Sequence, residues 1–148
     1  MDGSVLARRL GRTDARGLAR RRGLLPDFAI AFSKVSSSDP TIGYATLVSC
    51  NGARVEGVLN NLTDTEIARL DEIELVPEHY TRATVGVIDT SNGKTFQSVV
   101  YLANPDKLKP GLKPLLSYVE TLLGGRDVLS PSYVAQLTDL TRACSAET

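Results

Sequence analysis

Four carboxylates lie within one short stretch of this chain, and their surroundings raise the question of acid–base chemistry. The stretch "LDEIELVPEH" holds Asp71, Glu72, Glu74 and Glu78 among Ile, Leu, Val and Pro. A carboxyl group held in apolar surroundings has a raised pKa, so it can accept a proton near neutral pH as a general base. Acidic residues beside a short helix are more commonly solvated, and that alternative applies to all four.

A helix must position these carboxylates, and its start is marked in the sequence. Thr63 is followed three residues later by Glu66. This spacing is typical of a capping box, in which the two side chains bind the free backbone N–H groups of the first turn. The sequence therefore predicts a helix that begins after Thr63 and runs to about residue 73.

The helical spacing selects one carboxylate from the four. Ile67, Leu70 and Glu74 are separated by three and four residues, so Glu74 lies in line with the apolar face of the predicted helix. The other three carboxylates flank that line or follow Pro77. Glu74 is therefore the candidate for an inward-facing carboxylate, although spacing alone does not show what faces it.

Composition narrows the class of protein. The 148 residues carry 17 basic and 17 acidic side chains, two cysteines and one histidine, His79. We expect a single domain over residues 1–148 and a cytoplasmic protein with two free thiols. No apolar run is long enough for a membrane span. Seven arginines in the first 22 residues suggest an anionic partner, but balanced charge and few interleaved aromatics argue against nucleic acid.

The order of the predicted elements indicates an α+β fold. A short helix with Ser4 as N-cap is followed by a strand over "LPDFAIAFS". Two strand-like segments, "YATLVS" and "RVEGVLNNL", flank "CNGA", which is typical of a hairpin turn. Gly57 indicates a bulge or a close backbone approach. After the helix that begins at Thr63, "HYTRATVGVID" and "KTFQSVVYLA" predict two more strands joined by "SNG".

Two helices are expected to close the chain. In "GLKPLLSYVETLLGG", Pro114 is predicted in the first turn, and Leu115, Tyr118 and Leu122 are predicted on the buried face. In "SPSYVAQLTDLTRAC", Ser130 is the predicted N-cap and Pro131 the first helical residue. Tyr133, Leu137 and Leu140 are predicted to face the core. These helices would pack against a small sheet or barrel.

The ordered succession of segments resembles one known family. The chain contains, in order, "MDGSVLARRL", "GLLPDFAIAF", "YATLVS", "VEGVLNNL", "LDEIEL", "HYTRATVGV", "VVYLA", "LLSYVETLLGG" and "LSPSYVAQL". This order resembles the γ-glutamylcyclotransferase family, also called the AIG2-like fold, over about the whole chain. Each segment alone is a weak signal, and their succession is the more specific one.

The resemblance implies a fold, a reaction and a site. The fold would be a small mixed β-barrel or sheet with one inserted helix and C-terminal helices. Glu74 matches the glutamate of the family's "LDxxE" motif, which acts as general base when a γ-glutamyl compound cyclises to 5-oxoproline and releases an amine. Tyr118 matches the tyrosine of the family's "SxxY" segment near the substrate, with a core aromatic as its alternative. Tyr80 matches the "YxR" segment and is the second candidate for substrate binding, where it would orient Glu74 or line the barrel. The activity is of transferase or lyase type, its partner is a small γ-glutamyl substrate, and no cofactor or metal is needed.

Two departures from the family pattern leave a second hypothesis open. The family has a strand and a Tyr-Gly-Ser-Asn substrate loop before the segment that matches "MDGSVLARRL", and the best register puts Met1 just after that loop. Leu75 also replaces the glycine that usually follows the catalytic glutamate. The alternative function is therefore a catalytically silent homologue that acts as a binding module. An unpaired strand edge would favour a homodimer.

Overall fold

The computed structural model describes residues 2–140, 142 and 144. Its regular elements, in chain order, are α1 (Gly3–Arg9), β1 (Arg21–Val35), β2 (Gly43–Leu59), α2 (Asp64–Ile73), β3 (Tyr80–Asp89), β4 (Thr95–Ala103), α3 (Leu116–Leu123) and α4 (Pro131–Leu140). Short 3-10 turns cover Arg16–Leu18 and Pro105–Lys107. The predicted α+β architecture is confirmed.

The four strands form one antiparallel sheet in the order β2-β1-β3-β4. The long pair β1 and β2 runs from Arg21 opposite Leu59 to Val35 opposite Gly43. β3 and β4 form the second antiparallel pair. β1 and β3 pair over a much shorter stretch, at Gly23 and Leu24 of β1. The sheet is therefore two long hairpin-like ribbons connected through a narrow seam.

The predicted hairpin at "CNGA" is wrong. Both flanking segments belong to β2, and both pair with β1. The register shifts between Pro26 and Phe28, so residues 50–53 bulge out of β2, and Gly52 N–H donates to Asp27 Oδ1 at 3.0 Å. Gly52 has φ of +82°, which explains the glycine without a chain reversal. The expected irregularity at Gly57 is not found, because Gly57 keeps its regular pairing and a Cβ there would contact nothing.

The two outer strands of the sheet approach each other, so the sheet curls strongly. The N–H of Ala103 in β4 donates to Thr46 Oγ1 in β2 at 3.0 Å. Thr46 is buried, so this bond gives a buried hydroxyl its partner. The curl brings the concave faces of β2 and β3 together, and this is where the candidate site lies.

The N-terminal segment packs against α2. Leu18 and Ala7 are almost fully buried and form a small core with Leu62 and Leu70. The Arg69 side chain also donates to the Arg9 carbonyl at 2.6 Å. α1 begins two positions earlier than predicted, because Asp2 rather than Ser4 is the N-cap and accepts from Ser4 N–H at 2.8 Å.

The two C-terminal helices share a separate core with the sheet. Val119, Leu123, Leu129 and Leu137 are buried there. Pro114 precedes α3 rather than lying in its first turn, because Leu115 has an extended backbone as N-cap and the helix begins at Leu116. The predicted apolar face of α3 is also shifted by one residue, from Leu122 to Leu123.

At the start of α4, Ser130 Oγ accepts from Tyr133 N–H at 3.3 Å, and Pro131 is the first helical residue, as predicted. Leu137 is buried, whereas Tyr133 and Leu140 are only partly buried. The predicted helix extends to Cys144, but residues 141 and 143 lie outside the described residues.

Candidate functional site

The N-terminal end of α2 is fixed by the predicted capping box. Thr63 Oγ1 accepts from the Glu66 N–H at 3.2 Å, and the Glu66 carboxylate accepts from the Thr63 N–H at 3.0 Å. Arg12 adds a two-pronged contact to the same carboxylate. These bonds lower the pKa of Glu66 to about 2, with the Arg12 hydrogen bond as the largest cause. The start of the helix is therefore held from two sides.

The C-terminal end of α2 closes in a Schellman motif. Glu74 is the C-cap, Leu75 N–H donates to the Glu72 carbonyl at 3.2 Å, and Val76 N–H donates to the Asp71 carbonyl at 2.9 Å. These are the two bonds that define the motif. The motif needs a left-handed residue after the cap, and Leu75 supplies it with φ of +53°. Glycine is the usual residue at that position because a Cβ is strained there.

Glu74 projects from this cap into a half-buried position. Burial raises the pKa of its carboxyl group, while the cations of Arg9 and Lys34 act in the opposite direction. Within residues 2–140, 142 and 144, neither an N–H nor an O–H group hydrogen-bonds the carboxylate, and no cation lies within 4.0 Å of it. Its oxygens are therefore available to a ligand.

The other three carboxylates of the stretch have structural or solvent-facing positions. Asp71 forms an ion pair with Arg82 at 2.9 Å and accepts from the Tyr101 hydroxyl at 2.7 Å. Glu72 and Glu78 are exposed. The structure thus separates Glu74 from its neighbours as the helical spacing predicts.

Tyr80 and Tyr118 converge on one peptide of β2. The Tyr80 hydroxyl donates to the Ala45 carbonyl at 3.3 Å, and the Tyr118 hydroxyl accepts from the Ala45 N–H at 3.3 Å. Burial raises the pKa of both hydroxyls, and the Glu74 carboxylate raises each of them further. The structure therefore brings Glu74, Tyr80 and Tyr118 into one electrostatically connected cluster, and both tyrosines carry their protons at neutral pH.

Two more aromatic rings complete the wall around Tyr118. The Tyr44 ring lies 5.1 Å from the Tyr118 ring and the Phe32 ring lies 6.4 Å away, both edge to face. Edge-to-face contacts are a favoured arrangement of aromatic pairs. They fix the Tyr118 ring, which gives its hydroxyl a defined position.

Lys34 is a site residue that sequence reasoning missed. It lies on β1 opposite Tyr44, directly after a second register shift between Ala31 and Lys34, and only 5% of its surface is exposed. Its ammonium lies 5.9 Å from the Tyr44 ring and 5.6 Å from the Tyr80 ring. Lys34 directly follows the predicted strand "LPDFAIAFS" and precedes Val35. A lysine at the end of such an apolar segment is the signal that could have found it, because lysine is rarely buried without a reason.

Other basic groups border the cluster. Arg9 at the end of α1 acts on Glu74, and Lys107 acts on Lys34. His79 has its Nδ1 buried without a hydrogen-bond partner among the residues that the structure describes, and burial lowers the pKa of its imidazole. The surroundings of Glu74 are therefore mainly cationic, and such a setting favours an anionic group on any bound ligand.

A cavity of about 370 Å³ lies elsewhere, between the sheet and the start of α4. Its lining includes Arg22, Glu56, Ser130 and Gln136, and none of the predicted site residues. Glu56 accepts hydrogen bonds from the N–H and hydroxyl of Ser130. That carboxylate is thus engaged in capping α4 and is not comparable with Glu74.

A family model described as "Gamma-glutamyl cyclotransferase, AIG2-like" matches residues 8–119, which contain Glu74, Tyr80 and Tyr118. The chain belongs to the γ-glutamyl cyclotransferase, AIG2-like family. The match ends at Val119, so it includes the start of α3 but not α4. No curated protein sequence matches the chain.

Solved structures show the same fold. A protein titled "Gamma-glutamyl cyclotransferase" has a TM-score of 0.75 at 23% identity, with 93% of this chain and 83% of that chain covered. An uncharacterized protein from Homo sapiens has a TM-score of 0.73 at 22% identity and covers 100% and 88% of the two chains. YkqA from Bacillus subtilis has a TM-score of 0.70 at 20% identity, and the match covers 86% of this chain and 45% of the YkqA chain. The likeness at these identities concerns the fold.

Helices of the described residues are all too short or too polar to span a bilayer. The longest, α2 and α4, have ten residues each, whereas a span needs about twenty.

Proposed function

We propose that this protein cyclises a γ-glutamyl amine or γ-glutamyl amino acid to 5-oxoproline and releases the amine, with Glu74 as the general base. The observation that carries the proposal is the half-buried Glu74 carboxylate, which accepts no hydrogen bond from the described residues and lies in a tyrosine-lined cluster in a chain of this family. A carboxylate in that setting is more basic than a solvated one.

The reaction balances with Glu74 as its only proton carrier. Glu74 takes a proton from the α-ammonium of the substrate, and the freed amine attacks the γ-carbonyl to form a tetrahedral centre. Glu74 gives that proton to the leaving nitrogen as its C–N bond breaks. The second proton of the ring nitrogen passes through Glu74 to the released amine in the same way, so the products are the neutral lactam and an ammonium. Nucleophile and carbonyl belong to one molecule, so holding the substrate folded supplies much of the acceleration.

The two tyrosines differ in what they can offer the substrate. Tyr80 uses its proton on the Ala45 carbonyl, whereas Tyr118 accepts from the Ala45 N–H and donates its own proton to no acceptor among the described residues. A free hydroxyl proton can stabilise the oxyanion of the tetrahedral centre. We therefore expect Tyr118→Phe to lower kcat more than Tyr80→Phe, measured under saturating substrate. Equal losses in the two variants would contradict this assignment.

The test of the proposal is an assay of 5-oxoproline with a panel of γ-glutamyl amines and γ-glutamyl amino acids. Glu74→Gln keeps the size of the side chain and removes its basicity, so product formation should nearly stop. Glu72→Gln is the matched control, because Glu72 is an exposed carboxylate on the same helix. Absence of product from every compound, or an unchanged rate in Glu74→Gln, would overturn the proposal and favour the binding-module hypothesis.

A further inference from the structure

Lys34 is a buried cation whose charge is not balanced by a contact within the described part of the chain. Its surface is 5% exposed, and no carboxylate of residues 2–140, 142 and 144 lies within 4.0 Å of its ammonium. Buried charges are normally paired, because removing an ion from water is costly. Burial accordingly lowers the pKa of Lys34 below its usual value.

The rings around Lys34 hold its ammonium in one place. Tyr44 and Tyr80 present their faces to it at 5.9 Å and 5.6 Å. Cation–π contacts of this kind stabilise a desolvated ammonium and restrict its side chain. They leave N–H donors unused, since an ammonium has three. The lysine is therefore positioned in advance for an anion that the described part of the chain does not supply.

Glu74 and Lys34 interact electrostatically without touching. Each shifts the pKa of the other, yet their charged atoms are more than 4.0 Å apart. A ligand that carries an ammonium and a carboxylate on one carbon would offer each of these two side chains a group of opposite charge. The α-carbon of a γ-glutamyl compound bears both groups.

We propose that Lys34 binds the α-carboxylate of the γ-glutamyl substrate while Glu74 faces its α-ammonium. This inference rests on the proposed function and adds the residue that selects an amino-acid head group. It predicts that the protein discriminates against compounds that keep the amine and the γ-amide but lack the carboxylate. Arg9 and Lys107 strengthen the positive potential at this point.

The experiment compares two substrates with the same leaving amine. One is the best γ-glutamyl compound of the panel, and the other is its 4-aminobutanoyl analogue, which lacks the α-carboxylate and cyclises to 2-pyrrolidinone. Lys34→Met should lower kcat/KM for the γ-glutamyl compound by about tenfold to a hundredfold, the usual size of a lost charge-assisted hydrogen bond. It should change kcat/KM for the analogue by less than about threefold, which is within the effect of a distant charge.

Lys94→Met is the matched control, because Lys94 is an exposed lysine in the turn before β4. Lys34→Met should melt at the same or a higher temperature than the wild type, since it removes a buried charge that no carboxylate of the described residues pairs. Equal losses on both substrates would mean that Lys34 acts only through Glu74, and no loss would mean that it acts on neither. Both results would overturn the inference while leaving the proposed function intact.

Binding of 5-oxoproline, measured by calorimetry, gives a readout that does not depend on turnover. The wild type should bind 5-oxoproline more tightly than 2-pyrrolidinone, and Lys34→Met should lose that preference. If the protein forms no product but binds 5-oxoproline through Lys34, the proposed reaction fails and the carboxylate site stands. Binding that is the same in wild type and Lys34→Met would overturn the carboxylate site.

Discussion

The two ends of α2 each carry a glutamate, and the structure treats them in opposite ways. Glu66, in the first turn, accepts from Thr63 and Arg12, and these bonds lower its pKa to about 2. Glu74, at the C-cap, has no hydrogen-bond donor among the described residues, and burial raises its pKa. The same side chain is thus a stabilised anion at one end and a destabilised anion at the other.

The difference shows what each end contributes. A carboxylate with several donors stabilises the fold but is a weak base, because protonation would break its bonds. A carboxylate without donors costs folding energy and is the stronger base. We therefore interpret the first turn of α2 as the anchor that orients the helix, and its last turn as the part that supplies chemistry.

The largest expected effect is that substituting the two glutamates changes different quantities: one substitution lowers the reaction rate and the other lowers the stability. Glu74→Gln should slow 5-oxoproline formation by about 10²- to 10⁴-fold, the usual contribution of a general base, with an unchanged or higher melting temperature. Glu66→Gln should keep the rate and lower the free energy of unfolding by about 1–2 kcal/mol, because it weakens a cap and a charge-assisted contact. Urea unfolding and initial rates measure both.

Arg12 is the control for the stability half of this prediction. The Glu66 and Arg12 side chains are 14% and 23% exposed, so their contact should exceed the value of a fully solvated pair. A double-mutant cycle of Glu66→Gln with Arg12→Met should give a favourable coupling between the two side chains. A large stability loss in Glu74→Gln, with none in Glu66→Gln, would reverse the comparison.

A smaller effect, on stability, is expected from substituting Leu75, which follows the C-cap of α2 and has a left-handed backbone conformation. Leu75→Gly relieves about 1–2 kcal/mol of backbone strain and loses about 0.5–1 kcal/mol through the flexibility of glycine in the unfolded chain. The side chain is 49% exposed, so its removal costs little burial. The net result should be a gain of about 0.5–1 kcal/mol in the free energy of unfolding.

Leu75→Ala is the matched variant for this prediction, because alanine keeps the Cβ and with it the strain. Its stability in urea should stay close to that of the wild type. If Leu75→Ala gains as much as Leu75→Gly, the side chain rather than the backbone is responsible. If neither gains, the left-handed residue is not a source of strain in this cap.

Features that depend on neighbours in sequence were predictable, and those that depend on distant partners were not. The capping box follows from the spacing of Thr63 and Glu66, and the inward direction of Glu74 follows from helical periodicity. The hairpin at "CNGA" failed because both segments of β2 find the same distant partner, β1. Asp2 replaces Ser4 as N-cap of α1 because either residue satisfies the local pattern.

The chemistry around Glu74 shows the same limit. Lys34 is 40 positions away in the sequence, and its ammonium reaches the site only because β1 carries a register shift and the sheet curls. The convergence of Tyr80 and Tyr118 on Ala45 likewise requires β2, β3 and α3 to be assembled. Sequence periodicity could select Glu74 as the candidate base, but it could not identify Lys34 as the cation near it.

The smallest expected effect is a difference in the pH dependence of stability between the two ends of α2. Glu66 has its pKa lowered from 4.5 to about 2, so its contribution is complete above pH 4.5 and is lost as the pH falls toward 2. Glu74 has its pKa raised from 4.5, so its contribution is complete below pH 4.5 and is lost as the pH rises through the folded-state pKa. These signs follow from linkage between proton binding and folding.

Melting temperatures of the wild type, Glu66→Gln and Glu74→Gln between about pH 2.5 and pH 8 measure both slopes, because this window spans the ordinary carboxyl range on either side. The advantage of the wild type over Glu66→Gln should grow as the pH rises to about 4.5 and then stay level. Its advantage over Glu74→Gln should shrink as the pH rises further, because only an ionised Glu74 suffers from burial. Two differences that rise together with pH would mean that Glu74 has a donor after all, and that both ends of α2 are built for stability.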